Sequence, residues 1–320
     1  MGSITDWSKY PRISRIATAA AADVGRGSET LMTYVRGDLF RSARHLALGT
    51  EQPRRARREN RRKTKRPARA LVVTGFYIPQ AQQPAAETDG PLGALEVCMA
   101  LRAVGGDAWL ISDEHCAPVI CAAAGDLLPE DRVLIAPHAK PEFDAWFNMV
   151  IDLVKRHGID TLVFIERVGP ARDGRPRNMR GVDIAEWTAP LSQLALLELH
   201  TIGVGDGGNE IGMGRVADYA ISGVVAHGES IACTVAADQL VVAGTSNWGA
   251  HALVCAMRAL GCPQVEPYLE PDWHRAVLDA IVAAGGLDGV HMTNVPHGWT
   301  GSTRARYFGT VAQLSAFARH

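Results

Sequence analysis

No stretch of this chain reaches the roughly 18 to 20 consecutive apolar residues that a membrane span needs, and Met1 to Ile16 lack the apolar core of a secretory signal. A cytoplasmic protein without a membrane partner is the expectation. Cysteine is sparse: Cys98, Cys116, Cys121, Cys233, Cys255 and Cys262 include no C-x-x-C pair. Four of them sit among Ala, Val, Leu and Met, which predicts buried, reduced thiols rather than disulfides. No G-x-S-x-G turn is present, which disfavours a serine nucleophile, and Cys98 and Cys255 fall on apolar helix faces, which makes a cysteine nucleophile weak. The eleven histidines form no H-x-x-x-H pair in the glycine-bearing turns, which argues against zinc there; His251 and His297, the nearest, are expected to have core or surface roles. Excess charge of one sign is absent too, the net charge being −1. That near-neutrality hides ten Lys/Arg against two Glu between Glu51 and Ala70, so the other 300 residues carry about −9. The basic run has no interleaved aromatics and no second basic face, so it reads as a solvated linker and no nucleic-acid partner is expected.

What is present suffices for a full core. With 320 residues and 47% hydrophobic content, one large domain or two small ones can form. Residues 1–50 carry Leu31, Met32, Val35, Leu39, Ala43 and Leu46 at near-helical spacing and read as an N-terminal helical segment. The basic linker, 51–68, follows, and 69–320 form the main domain. There the spacing predicts strands at 71–74, 108–112, 132–136, 161–165, 200–204, 231–235 and 239–243. Helices are predicted at 93–104, 143–157, near 184–199 and at about 250–260. Apolar strands alternating with helices imply an α/β fold with a mainly parallel, doubly wound sheet, a Rossmann-like three-layer arrangement. Such sheets bind ligands beyond the carboxyl ends of their strands.

Four polar, glycine-bearing turns fall at those ends. Thr74-Gly75-Phe76 leads on to Glu87-Thr88-Asp89-Gly90-Pro91-Leu92-Gly93-Ala94. Glu166-Arg167-Val168-Gly169 continues to Arg177-Asn178-Met179-Arg180. Residues 203–214 pack six glycines around Asp206, Asn209 and Glu210. Gly244-Thr245-Ser246-Asn247-Trp248-Gly249 precedes a helix. Each has a plainer reading as a cap, a turn or a local ion pair. Gly203, Gly205 and Gly208 satisfy G-x-G-x-x-G, but Asp206 sits where a pyrophosphate would pass, so neither NAD nor FAD is expected. Carboxylates in glycine turns suit an amine, a water or a hard cation, Mg²⁺ or Mn²⁺ before zinc.

These segments, in this order, resemble the C-terminal domain of D-glutamate cyclase from about residue 69 to 260 and more loosely to the end. Residues 203–214, with their D-G-G-N-E-x-G-M-G core, are the most specific part. Asn294-Val-Pro-His297-Gly-Trp299 departs from the more acidic turn the family leads one to expect. The resemblance implies a lyase that closes D-glutamate, or a related amino acid, to 5-oxo-D-proline with loss of water. The alternatives are a metal-dependent amide-forming or hydrolytic enzyme of a specialised pathway, and a non-catalytic binder of an amino acid or nucleotide. A small amino acid is the expected ligand, and homo-oligomerisation stays open.

Applied to this reaction, Asp206 and Glu210 are expected to bind the ammonium or a divalent ion, oriented by Asn209, with Asp89 as a further metal ligand. Glu87 and Asp89 form a second acidic pair that can supply a general base, and Glu166 holds Arg167 or joins a metal shell. Arg167, backed by Arg177 or Arg180, is expected to grip a substrate carboxylate. Asn178, Gly207, Gly208, Ser246 and Asn247 complete the expected substrate contacts.

Overall fold

Strand residues here alternate between two buried faces, so each strand reads as an unbroken apolar run. In β1 (Arg69–Thr74), Ala70 and Val72 join one core and Leu71 and Val73 the other. The computed structural model describes residues 9–49, 66–289 and 301–320. Most of the basic linker and the whole of residues 294–299 lie outside the described residues. At the linker's described end, Arg66 pairs with Asp160 at 2.9 Å.

After β1 comes a two-stranded hairpin, β2 (Tyr77–Ile78) and β3 (Ala85–Ala86). The main sheet continues with β4 (Asp107–Asp113), β5 (Val133–Ala136), β6 (Thr161–Ile165), β7 (His200–Gly205) and β8 (Gln239–Val242). It is six-stranded and parallel throughout, in the order β5-β4-β1-β6-β7-β8. The chain winds outward from β1 through β4 to β5, then returns to the other side of β1 with β6. The reversal places a crevice between the carboxyl ends of β1 and β6, where a doubly wound sheet takes its ligand.

In chain order the helices are α1 (Tyr10–Ala20), α2 (Ser28–Met32), α3 (Asp38–Leu48), α4 (Pro91–Ala103), α5 (Ala117–Ala124), α6 (Lys140–His157), α7 (Asp218–Val224), α8 (Gly228–Ile231), α9 (Ser246–Ala259), α10 (Pro271–Ala283) and α11 (Gly301–Arg319). α4 and α9 cover one face of the sheet and share a core with α1, α3, α5, α10 and α11. α6 and the segment around Leu191 and Leu194 cover the other. The N-terminal helices therefore pack into the same core as the strands from 69 onward, α1 and α3 lying directly against α9.

Two expected elements differ. The helix expected near 184–199 is two 3₁₀ segments, Ala185–Trp187 and Leu191–Leu197. Pro190 removes a helical donor between them, and the Ala189 backbone is claimed at both polar groups, its N–H by Asp113 and its carbonyl by Arg167. The strand expected at 231–235 is not in the sheet. Ile231 ends α8, and the following residues clasp the glycine loop, Cys233 N–H donating to Gly208 O and Val235 O accepting from Gly212 and Gly214.

Candidate functional site

Four strand ends and one N-terminal turn build the site. The register Thr74↔Ile165, Ile165↔Val204 and Gly205↔Val242 brings the carboxyl ends of β1, β6, β7 and β8 level. Glu166 follows β6 in a left-handed conformation, φ 47°, which a non-glycine residue adopts only at a cost. Gly90 (φ 97°) lies against it: a β-carbon there would come within 2.6 Å of Thr74 Oγ1 and 2.7 Å of Glu166 Cβ. Only a glycine lets the Thr88–Pro91 turn approach the end of β6 this closely.

The start of α9 locks that turn. Thr245 caps the helix, its hydroxyl accepting from Trp248 N–H. Asp89 accepts from the backbone N–H groups of Ser246 (2.9 Å) and Asn247 (2.7 Å) at the positive end of the helix. Asn247 Oδ1 accepts from Gly90 and Gly93, and its Nδ2 donates to Thr88 O. Ser246 Oγ donates to Glu166 Oε2 at 2.5 Å. Ser246 and Asn247 thus hold the two carboxylates of neighbouring turns in place.

The loop after β7 has its own anchor. Glu210 Oε1 accepts from the N–H groups of Asp206 (3.2 Å) and Gly207 (2.7 Å), and Oε2 from Gly208 (2.8 Å). The amides that would cradle a pyrophosphate are filled by the loop's own carboxylate. Asp206 is left facing the cavity, 1% exposed, with Arg26 Nη1 at 2.5 Å from Oδ1. Arg26 stands in the turn between α1 and α2, which Asp23 organises by accepting from the N–H groups of Gly25, Arg26 and Gly27.

Together these groups wall a cavity of about 650 Å³, a size suited to a small metabolite. Five acids line it, Glu87, Asp89, Glu166, Asp206 and Asp288, facing three arginines, Arg26, Arg180 and Arg306. Phe76, Ile78, Met179, Trp248 and Tyr307 give it apolar walls. Asp89, Glu166 and Asp206 offer carboxylate oxygens within 4.8 Å of one another. Burial, and then the negative neighbours, make full ionisation costly. Burial and then Asp206 push Asp89 up to about 7. Burial, followed by Asp206 and Glu210, holds Glu166 well above the usual carboxylate range, and burial followed by Asp89 does the same to Glu87. Glu210 is raised to about 7, again by burial first and Asp206 second.

Asp206, Asn209, Glu87, Asp89, Glu166, Asn178 and Arg180 all line the cavity. Gly207, Gly208, Ser246, Asn247 and Glu210 stand behind its wall. Asn209 is tied by its Nδ2 to Arg177 O, and Asn178 by its Nδ2 to Gln80. Arg167 does not reach the cavity. At 1% exposure its guanidinium pairs with Asp113 (2.6 Å) and donates to the carbonyls of Gly75 and Ala189, pinning β1, β4 and the 3₁₀ segments together. Arg177 is paired with Asp173. The three grouped carboxylates include Glu166 in place of the expected Glu210, whose two oxygens are occupied by amides. Sequence reasoning missed Arg26, Asp288 and Arg306. Arg26 carried one faint sign, a lone cation in Gly25-Arg26-Gly27, where both glycines have positive φ.

The profile of the family "D-glutamate cyclase-like, C-terminal" matches residues 16–297. The chain belongs to the D-glutamate cyclase-like family. The match begins well before residue 69 and so takes in the Arg26 turn as well as the sheet. Among curated proteins, human "D-glutamate cyclase, mitochondrial" is 36% identical over 211 residues, 62% of this chain. The aligned part is 34% of that protein's length, so the chain corresponds to about a third of the human relative. Among the described residues no helix is long and apolar enough to cross a membrane, and all six cysteines are free, four of them buried.

Proposed function

We propose that this cavity closes an amino dicarboxylate onto itself, converting glutamate to 5-oxoproline with release of water. The observation that carries the reading is the set of three grouped carboxylates, Asp89, Glu166 and Asp206, lining one cavity together with Arg26, Arg180 and Arg306. A zwitterion with an ammonium and two carboxylates is complementary to those walls. The relative's name points to the D enantiomer.

In the reaction a C–N bond forms between the substrate amine and its distal carboxyl carbon, and a C–O bond breaks. Asp206 and Glu87 hold the ammonium. Asp89, whose raised pKa lies near neutrality, accepts an ammonium proton so that the amine can attack. After attack the second amine proton passes to an oxygen of the tetrahedral carbon and makes it a hydroxyl. Glu166, held towards its protonated form by burial and its acidic neighbours, gives that hydroxyl a proton so that it leaves as water. The proton taken up by Asp89 returns to Glu166, one oxygen of each lying within 4.8 Å of the other. General acid and base groups of this kind contribute about 10²–10⁴-fold. Arg26, Arg180 and Arg306 grip the substrate carboxylates and lower the cost of charge developing on the attacked oxygen. Holding the chain folded for five-membered closure supplies an orientation benefit.

The all-oxygen set Asp89, Glu166 and Asp206 also fits a hard divalent cation, Mg²⁺ or Mn²⁺. Bound there, such an ion would neutralise the cluster and polarise a carboxylate oxygen. Free, buried thiols accord with a reducing compartment, and we infer a cytoplasmic location. Incubation with D- and L-glutamate, with and without Mn²⁺, followed by chromatography for 5-oxoproline tests the reaction. Product from D-glutamate is expected; none from either enantiomer under any condition refutes it.

A further inference from the structure

At the opposite half of the sheet, outside the cavity, two histidines and a glutamate converge. Glu114 and His115 directly follow β4, and His138 lies two residues beyond β5. The pairing Asp113↔Ala136 brings these ends together, with Glu114 N–H donating to Ala136 O at 3.1 Å. One ligand atom from each of Glu114, His115 and His138 lies within 4.8 Å of the others. We propose that Glu114, His115 and His138 form a surface site for a borderline divalent transition-metal ion, Zn²⁺ foremost.

A second observation fixes the chemistry of His138. Its Nε2 is 2.8 Å from Ala185 O. A carbonyl only accepts, so Nε2 carries the proton and Nδ1 presents its lone pair. An imidazole whose other nitrogen donates to a backbone carbonyl is the usual arrangement behind a metal-ligating histidine, because it sets the tautomer and orients the ring. Glu114 is oriented too, Oε1 accepting from the backbone N–H of His138 at 3.1 Å and the other oxygen remaining. The His115 ring packs on Tyr77 at 5.2 Å and edge-on to His138 at 5.7 Å.

Two imidazoles and one carboxylate make a donor set that suits zinc before magnesium or calcium. The site is partly exposed, so a water can complete the coordination. The buried group Glu96, His251 and His274 differs: His251 Nδ1 is 2.7 Å from Glu96 Oε1, a proton-sharing distance. An ion at the surface site would be felt next door, since Tyr77 stands between Phe76 and Ile78, which both line the cavity.

Titration calorimetry of metal-free protein with zinc sulfate tests the site. One Zn²⁺ per chain is expected, at least tenfold weaker in His115→Ala and His138→Ala and unchanged in Asp206→Asn. Zinc should raise the melting temperature of the wild type and not of His138→Ala. Glu114→Gln, a milder change at an exposed position, should weaken binding in the same direction if either histidine variant fails to fold. Absence of zinc binding by the wild type refutes the site, as does undiminished binding by the variants. Loss of binding in Asp206→Asn alone would place the ion in the cavity instead and equally refute it.

Discussion

Replacing Arg26 by alanine removes the cation paired with Asp206. Asp206 is almost wholly buried, while the Arg26 side chain keeps 21% of its exposure. Breaking a buried pair by deleting one partner costs about 3–5 kcal/mol, because the other charge is left uncompensated. Solvent access at Arg26 reduces this to about 2–3 kcal/mol. In a chain of 320 residues that corresponds to a melting temperature lower by roughly 3–5 °C. The loss should depend on pH, and the sign follows from the cluster. Burial, then Asp206, raises Asp89 to about 7 from an ordinary 3.8, so the folded state holds a proton through that window that the unfolded chain gives up. The cluster therefore destabilises the fold increasingly as pH rises from about 4 through 7. Below about pH 7 protonation of Asp89 in the folded state relieves the repulsion and Arg26 matters less; above it the guanidinium is needed most. Melts of wild type and Arg26→Ala followed by circular dichroism at pH 5.5 and pH 8.0 check this. A larger gap at pH 8.0 is expected, with Arg26→Lys in between. Equal melting temperatures at pH 8.0, or a gap larger at pH 5.5, would refute the electrostatic account.

The remaining expectations concern the other anchored charges. Asp206→Asn should lower 5-oxoproline formation by at least about 10²-fold while its circular dichroism spectrum stays native; wild-type rates would make the residue structural. Arg167→Lys keeps the charge but not the planar fork that serves Asp113, Gly75 O and Ala189 O, so it should destabilise by about 2–4 kcal/mol in urea denaturation. An unchanged midpoint would contradict the pinning role. Burial opposes the charge on Glu96, yet His251 and His274 hold its pKa down to about 2, below the ordinary 4.5. Its stabilisation is therefore complete above about 4.5 and lost as pH falls towards 2. Glu96→Gln should consequently lie below wild type at pH 7 and converge on it in acid melts.

The sheet was legible because its strands are buried on both faces: in Thr161–Ile165 every residue is buried and the four after Thr161 are apolar, and its bounds match those expected. Leu191 and Leu194 also look helical, but their three-residue spacing suits a 3₁₀ turn equally, and Pro190 with the paired Ala189 backbone breaks the longer helix. The Ile231–Val235 run has strand composition, yet the glycine loop needed partners for its amides and took them there. In the site, the carboxylates were legible because they sit in glycine turns at strand ends. Arg26 was not: it is 180 positions from Asp206, and only the packing of α1 and α3 onto α9 brings its turn to the cavity. Arg167 was misplaced for the converse reason, since its neighbour Glu166 points into the site while the next side chain along the chain turns to the opposite side.

Glu210 gives the loop after β7 a tenant of its own. Its carboxylate occupies the amides of Asp206, Gly207 and Gly208 from within the loop itself, so the loop is set by its own residues and ordering it draws little on the binding energy. The same backbone becomes an anion receptor once that tenant is removed. In Glu210→Ala, added inorganic phosphate should raise the melting temperature as it does not in the wild type. One side chain would then separate an amine-binding acidic site from a phosphate-binding loop on the same glycine framework.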